Sequence, residues 1–148
     1  MPKKTLSRYV YLNPVRLPIW DLRWIAYRAK GQSLWKIGVA VDVDQRTKKV
    51  DNSHKSVKVK TKYKYYVPSA TKHESYLHKE FESQKFEIIG LDGGTEVYRL
   101  SPKQLDFAKR YLRKQQHLKD RIGSNLATLI FTIILIIIFI VLHFKPTL

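Results

Sequence analysis

Cysteine is absent from the 148-residue chain, which excludes disulfides and thiolate zinc sites and suits a reducing compartment. Acidic residues are scarce: 12 Asp and Glu stand against 28 Lys and Arg, a formal charge of +16. Such an imbalance points to an anionic partner, nucleic acid or a membrane surface, and leaves the fold open. The N-terminus, MPKKTLSRYVYLNP, lacks the apolar stretch of a signal peptide. His54, His117 and His143 form no ligand cluster. His73 and His78 are five residues apart, which misses the four-residue spacing of a helical zinc pair. No internal repeat is present, and the length suits one ordinary domain.

One long apolar run closes the chain. From Leu126 to Phe144 it reads LATLIFTIILIIIFIVLHF, interrupted only by Thr128, Thr132 and His143. A helix of that length spans roughly 28 Å, close to the hydrocarbon thickness of a bilayer. A transmembrane helix is therefore expected over residues 126–144. Lys109, Arg110, Arg113, Lys114, Lys119 and Arg121 precede it, against Asp120 alone. The positive-inside tendency then predicts a tail-anchored, single-pass membrane protein with its N-terminal domain in the cytosol. The same cations would attract anionic lipid.

Ahead of that run, local signals predict an α+β domain. Residues 1–22 read as an N-terminal extension in which RYVYL has the makings of a short strand and Pro14 and Pro18 interrupt regular structure. WIAYRAK (24–30) has strand composition, Gly31-Gln32-Ser33 reads as a turn, and LWKIGVA (34–40) as the returning strand. Asp42 and Gln45 open a short helix to about Val50. SVKVKTKYKYYV (56–67) alternates as a strand with one lysine face. Thr71 and Glu74 form a capping pattern on a helix whose Glu74, Leu77, His78 and Phe81 share one face. TEVYRL (95–100) is a last strand, and Ser101-Pro102-Lys103-Gln104 starts an amphipathic basic helix over 102–122.

In order, WIAYRAKGQSLWKIGVAVDVDQR, HESYLHKEF and GGTEVYRL resemble the GIY-YIG nuclease superfamily, in its phage-type DNA-binding branch that writes K-I-G. The resemblance rests on Lys36-Ile37-Gly38 with Arg46 eight residues after the glycine, on Glu74, Leu77 and His78, and on Gly94, Glu96 and Tyr98. It implies a small, mainly antiparallel three- to four-stranded sheet flanked by helices over residues 23–101. It also implies phosphodiester hydrolysis with one divalent cation, Mg²⁺ or Mn²⁺. Glu74 would be the metal ligand, with Glu96 a second candidate, and Arg46 the phosphate clamp. Both motif tyrosines are replaced: Ile25 stands in the first place, with Tyr27 two residues on, and Lys36 in the second. Tyr27, Lys36, Arg46 and Glu74 are thus the candidate catalytic residues.

Lys48, Lys49, Lys55, Lys58, Lys60, Lys62 and Lys64 face Asp51 alone across residues 47–64, a surface suited to a nucleic-acid backbone. The expected function is a membrane-anchored DNA-binding domain with endonuclease chemistry. The alternative is a non-catalytic tail-anchored protein whose basic domain binds anionic lipid or a protein partner.

Overall fold

The computed structural model describes residues 8–143; for residue 24 and for residues 117–128 and 138–143 it describes the backbone alone. The chain divides into two compact units, Met1–Gln116 and His117–Leu148.

The first unit is built on strand β1 (Arg8–Arg16). Its alternate residues are buried on both sides: Val10 and Leu12 on one face, Tyr11, Asn13 and Val15 on the other. Along one edge β1 pairs antiparallel with β2 (Ser33–Ala40), placing Tyr11 opposite Gly38 and Asn13 opposite Lys36. Along its other edge it takes two short antiparallel partners in succession, β3 (Lys58–Val59) against its end and β4 (Tyr63–Val67) against its start. Strand β5 (Val97–Leu100) pairs antiparallel with the outer side of β2. Pro14 falls at the changeover between β4 and β3, where that edge asks for no backbone N–H.

Two apolar clusters cover the two faces. Val10, Leu12, Trp35, Ile37, Tyr98 and Leu100 pack with Leu77 and Phe81 and with Ala108 and Leu112. Val15, Leu34, Val50, Val59, Phe86, Ile88 and Val97 form the second cluster, joined by Tyr27. Helix α1 (Leu22–Ala29) joins β1 to β2, and α2 (Val43–Asn52) follows β2. Asp42 caps α2 as the sequence predicts, its side chain accepting from the Gln45 N–H at 2.9 Å. Helix α3 (Ala70–Glu80) differs: its N-cap is Ser69, held in the left-handed region at φ 52 with no side-chain capping bond. Thr71 lies within that helix, so the expected Thr71–Glu74 box is not its start. Helix α4 (Pro102–His143) opens with the expected reciprocal cap, Ser101 N–H to Gln104 Oε1 at 2.9 Å and Gln104 N–H to Ser101 Oγ at 3.3 Å.

Three expectations change. Residues 24–29 are helical rather than a strand, with Lys30 as the C-cap, because Asp21 caps α1 by accepting from the Arg23 N–H at 3.0 Å. The sheet has five strands, and its middle one comes from residues expected as an extension. The lysine strand is split in two, with Lys62 N–H donated at 3.2 Å to Asn13 Oδ1 between the pieces.

The α+β, antiparallel part of the expected fold holds, but the transmembrane helix is corrected. Among the described residues no helix is long and apolar enough to cross a membrane. The side chains described within the expected span are those of residues 129–137, which cover about 14 Å of helix, under half of a bilayer's hydrocarbon core. The remainder of the 126–144 run, and Lys119 and Arg121 ahead of it, lie outside the residues whose side chains are described. Single-pass membrane localisation and a cytosolic orientation lose their basis with that helix, and a lipid partner has no support.

Candidate nucleic-acid site

The site forms where the second face of the sheet meets α2 and the turn before β5. Gly38 is small for a reason: a Cβ there would strike the Tyr11 hydroxyl and lie 2.6 Å from ring atom Cζ. The tyrosine ring therefore crosses β2 over its glycine, and its hydroxyl interacts with the Arg46 guanidinium on α2. Tyr11 is 2 % exposed. Burial pushes its phenol up to about 12, with Arg46 opposing and Glu96 and Glu74 reinforcing the rise. At neutral pH it is a protonated hydroxyl.

Asn13 and Lys36, paired across β1 and β2, are fully buried beside it. Asn13 Nδ2 donates at 2.7 Å to Thr47 Oγ1, which fixes α2 against the sheet. Lys36 Nζ donates to Gly93 O at 2.6 Å and to Glu96 Oε2 at 2.7 Å. Burial lowers the Lys36 pKa, and Glu96 opposes that shift. With its ammonium enclosed and directed at two acceptors, Lys36 holds the turn and orients Glu96. Gly93 itself has φ +65, and a Cβ there would meet Lys36 Nζ and Glu96.

Arg46 meets Asp92 through a two-pronged contact, Nη1 to Oδ2 at 2.7 Å and Nη2 to Oδ1 at 3.2 Å. Partial burial works against the Arg46 cation, yet Asp92 and then Tyr11 hold its pKa above the ordinary value. Glu74 comes from α3 and is half-buried. Burial raises its carboxyl pKa; His78 opposes this, Glu96 adds to it, and the Val39 backbone N–H, Lys36 and His78 favour the anion. Tyr11 is thus coupled electrostatically to Arg46, Glu96 and Glu74, and Lys36 to Glu96, Arg46 and Glu74.

Four of the five expected side chains meet here: Lys36, Arg46, Glu74 and Glu96. Tyr27 is placed elsewhere, on α1, edge-on to Phe86 at 5.6 Å and under the Arg99 guanidinium at 4.8 Å. Tyr11 supplies the tyrosine of the cluster. Sequence reasoning allowed RYVYL a short strand but placed it in an extension outside the domain, so Tyr11 was not weighed for the site. The usable signal was the alternation of Tyr9, Tyr11 and Asn13 in RYVYLN. Asp92 was missed as well.

For a cation, the cluster offers Glu74 together with Glu96, whose charge disfavours that of Glu74. Among the described residues no group of three His, Cys, Asp or Glu side chains gathers. This sparse oxygen set fits a hard cation that keeps waters and takes substrate oxygens.

All seven lysines are exposed. Lys48 and Lys49 continue α2 beyond Arg46, and α2 is tied to β3 by the Val59 N–H donated to Asp51 Oδ1 at 2.8 Å. Lys58 pairs loosely with Asp51 at 3.8 Å and Lys64 with Asp44 at 3.2 Å. Lys62 Nζ lies 5.6 Å from the Trp35 ring centroid, and Trp35 stacks on Tyr63 at 5.8 Å.

A family model for the T5orf172 domain matches residues 24–113, more than half of the chain. The chain belongs to the T5orf172 domain family. That domain is phage-associated and related to nuclease folds of the GIY-YIG and HNH-like kinds. The T5orf172 match covers β2, α2, α3 and the turn before β5, which carry Lys36, Arg46, Glu74 and Glu96, and stops short of β1 with Tyr11. No curated protein and no solved structure matches the chain.

Proposed function

We propose that this T5orf172 protein binds DNA and hydrolyses its phosphodiester bonds in the manner of a GIY-YIG nuclease. The observation that carries this reading is the buried Tyr11 beside Arg46 and the Lys36-held Glu96, with Glu74 coupled to Glu96, in a domain whose seven lysines are all exposed. Lys48, Lys49, Lys55, Lys58, Lys60, Lys62 and Lys64 attract the backbone without regard to sequence, at the cost of salt sensitivity. Arg46 presents a planar fork to a phosphate. Tyr11, protonated and enclosed, steadies the Arg46 guanidinium through its hydroxyl. Lys36 acts as a positioning residue: it fixes Glu96 and the Gly93 carbonyl and has no surface open to substrate. Glu74, with Glu96 beside it, would hold Mg²⁺ or Mn²⁺, which when bound polarises a phosphoryl oxygen.

The test is cleavage of duplex and single-stranded DNA by the full chain with Mg²⁺ or Mn²⁺. Arg46→Ala and Glu74→Ala are expected to lower the rate by about 10²–10³, the usual loss for one charge-stabilising group. Chelation of the cation is expected to stop cleavage. Equal nicking by wild type and both variants, or affinity for DNA that does not fall as salt rises, would refute the proposal.

A further inference from the structure

Arg46, the residue read above as the phosphate ligand, already holds an anion in this structure. Both oxygens of Asp92 engage both terminal nitrogens of Arg46, at 2.7 and 3.2 Å. A carboxylate and a phosphate match a guanidinium fork in the same bidentate way. Lys49 Nζ stands 3.9 Å from the same Asp92 oxygen, so two cations surround one internal anion. The Arg46 and Asp92 side chains are 30 % and 31 % exposed, so an outside anion can reach the pair without unfolding the domain.

The backbone around Asp92 is held independently of its carboxylate. Its N–H donates at 2.9 Å to Ser53 Oγ, and the neighbouring Gly93 carbonyl is gripped by Lys36. Gly90 and Gly93, at φ +82 and +65, bracket the turn. A rotation of the Asp92 side chain would therefore empty the fork while Gly93 and Glu96 stay in place.

We propose that Asp92 is a built-in competitor for the phosphate seat, holding Arg46 closed until a nucleic-acid phosphodiester displaces it. This rests on Arg46 being the phosphate ligand of the proposed function. Such competition lowers the apparent affinity of every phosphate by the fraction of molecules in which the fork is open. A lone phosphate has only the fork to bind. A polynucleotide also gains from the lysines along α2, β3 and β4, so it still displaces Asp92 at concentrations where free phosphate no longer does.

The test uses the full chain, with inorganic phosphate and a single-stranded DNA oligonucleotide as probes. Asp92→Asn removes the competitor and keeps the turn's backbone bonds. Asp106→Asn makes the same change of charge on α4, where Asp106 pairs with Arg110 at 3.1 Å, and serves as the control. Asp92→Asn is expected to tighten both probes about tenfold beyond the control, a tenth of the forks being open in the wild type. The gain is expected to vanish in the Arg46→Ala background, as coupled sites require. Phosphate titration of the wild type is also expected to give a saturable shift of the Arg46 guanidinium resonances. Equal affinities for Asp92→Asn and Asp106→Asn, a gain that survives Arg46→Ala, or unmoved Arg46 resonances would overturn the inference. Arg46→Ala binding DNA as tightly as wild type would instead overturn the reading of Arg46 as phosphate ligand.

Discussion

Alkaline titration offers a quantitative check on how the sheet encloses its tyrosines. Tyr11 and Tyr98 are 2 % and 1 % exposed, and burial pushes each phenol from 10.0 up to about 12. An unfolded tyrosine loses its proton near pH 10, while these two keep theirs until about 12. Across that window the unfolded state binds fewer protons than the folded one, so stability falls as pH rises. Below pH 10 the contribution is intact. Two pKa units are worth about 2.7 kcal/mol per group, so the pair removes roughly 5 kcal/mol between pH 10 and 12. That equals the entire stability of many small domains. Lysine titration and relief of charge repulsion operate over the same range, so the measurement is a difference between variants. Urea unfolding from pH 8 to 12 is expected to show Tyr98→Phe losing about 2.7 kcal/mol less than wild type above pH 10. Tyr11→Phe should behave alike, starting about 1 kcal/mol lower at pH 8 through loss of its contact with Arg46. Parallel curves for wild type and both variants would refute the argument that these phenols are enclosed.

Gly38→Ala is expected to cost about 1–3 kcal/mol by overpacking against the Tyr11 ring, read from urea unfolding at neutral pH. An unchanged midpoint would mean that the ring does not cross β2 there. Lys36→Met leaves the Gly93 carbonyl unpaired and is expected to cost about 1–2 kcal/mol, since loss of the buried cation offsets part of the damage. Glu96, 37 % exposed, can turn to water. Folding lowers the Lys36 pKa below 10.5, so the unfolded state binds more protons in between and wild type should gain on Lys36→Met as pH rises through that window. A gap that narrows or stays constant instead, measured by the same unfolding series, would count against a buried Lys36 ammonium.

Local signals made much of this fold legible. The Asp42 and Ser101 caps fixed two helix starts, and strict alternation marked the lysine face even though the strand bearing it is broken. What failed was non-local. Pro14 suggests interruption, and only the changeover from β4 to β3 along β1 makes it acceptable in mid-sheet. WIAYRAK carries strand-like composition, but the Asp21 cap and packing of Tyr27 against Phe86 make it helical. Lys36, Arg46, Glu74 and Glu96 were singled out as candidates because motif spacing survives without knowledge of the sheet. Tyr11 and Asp92 were not, since each acquires its role only through a partner 35 or 46 residues away.

The placement of β1 bears on how the protein can be handled. A fragment trimmed to the family match at residue 24 would discard the plank to which three other strands are nailed, and Tyr11 with it. Such a piece would have to bridge β2 and β4 directly, with no backbone between them to bond. Recombinant work on this domain should begin upstream of Arg8.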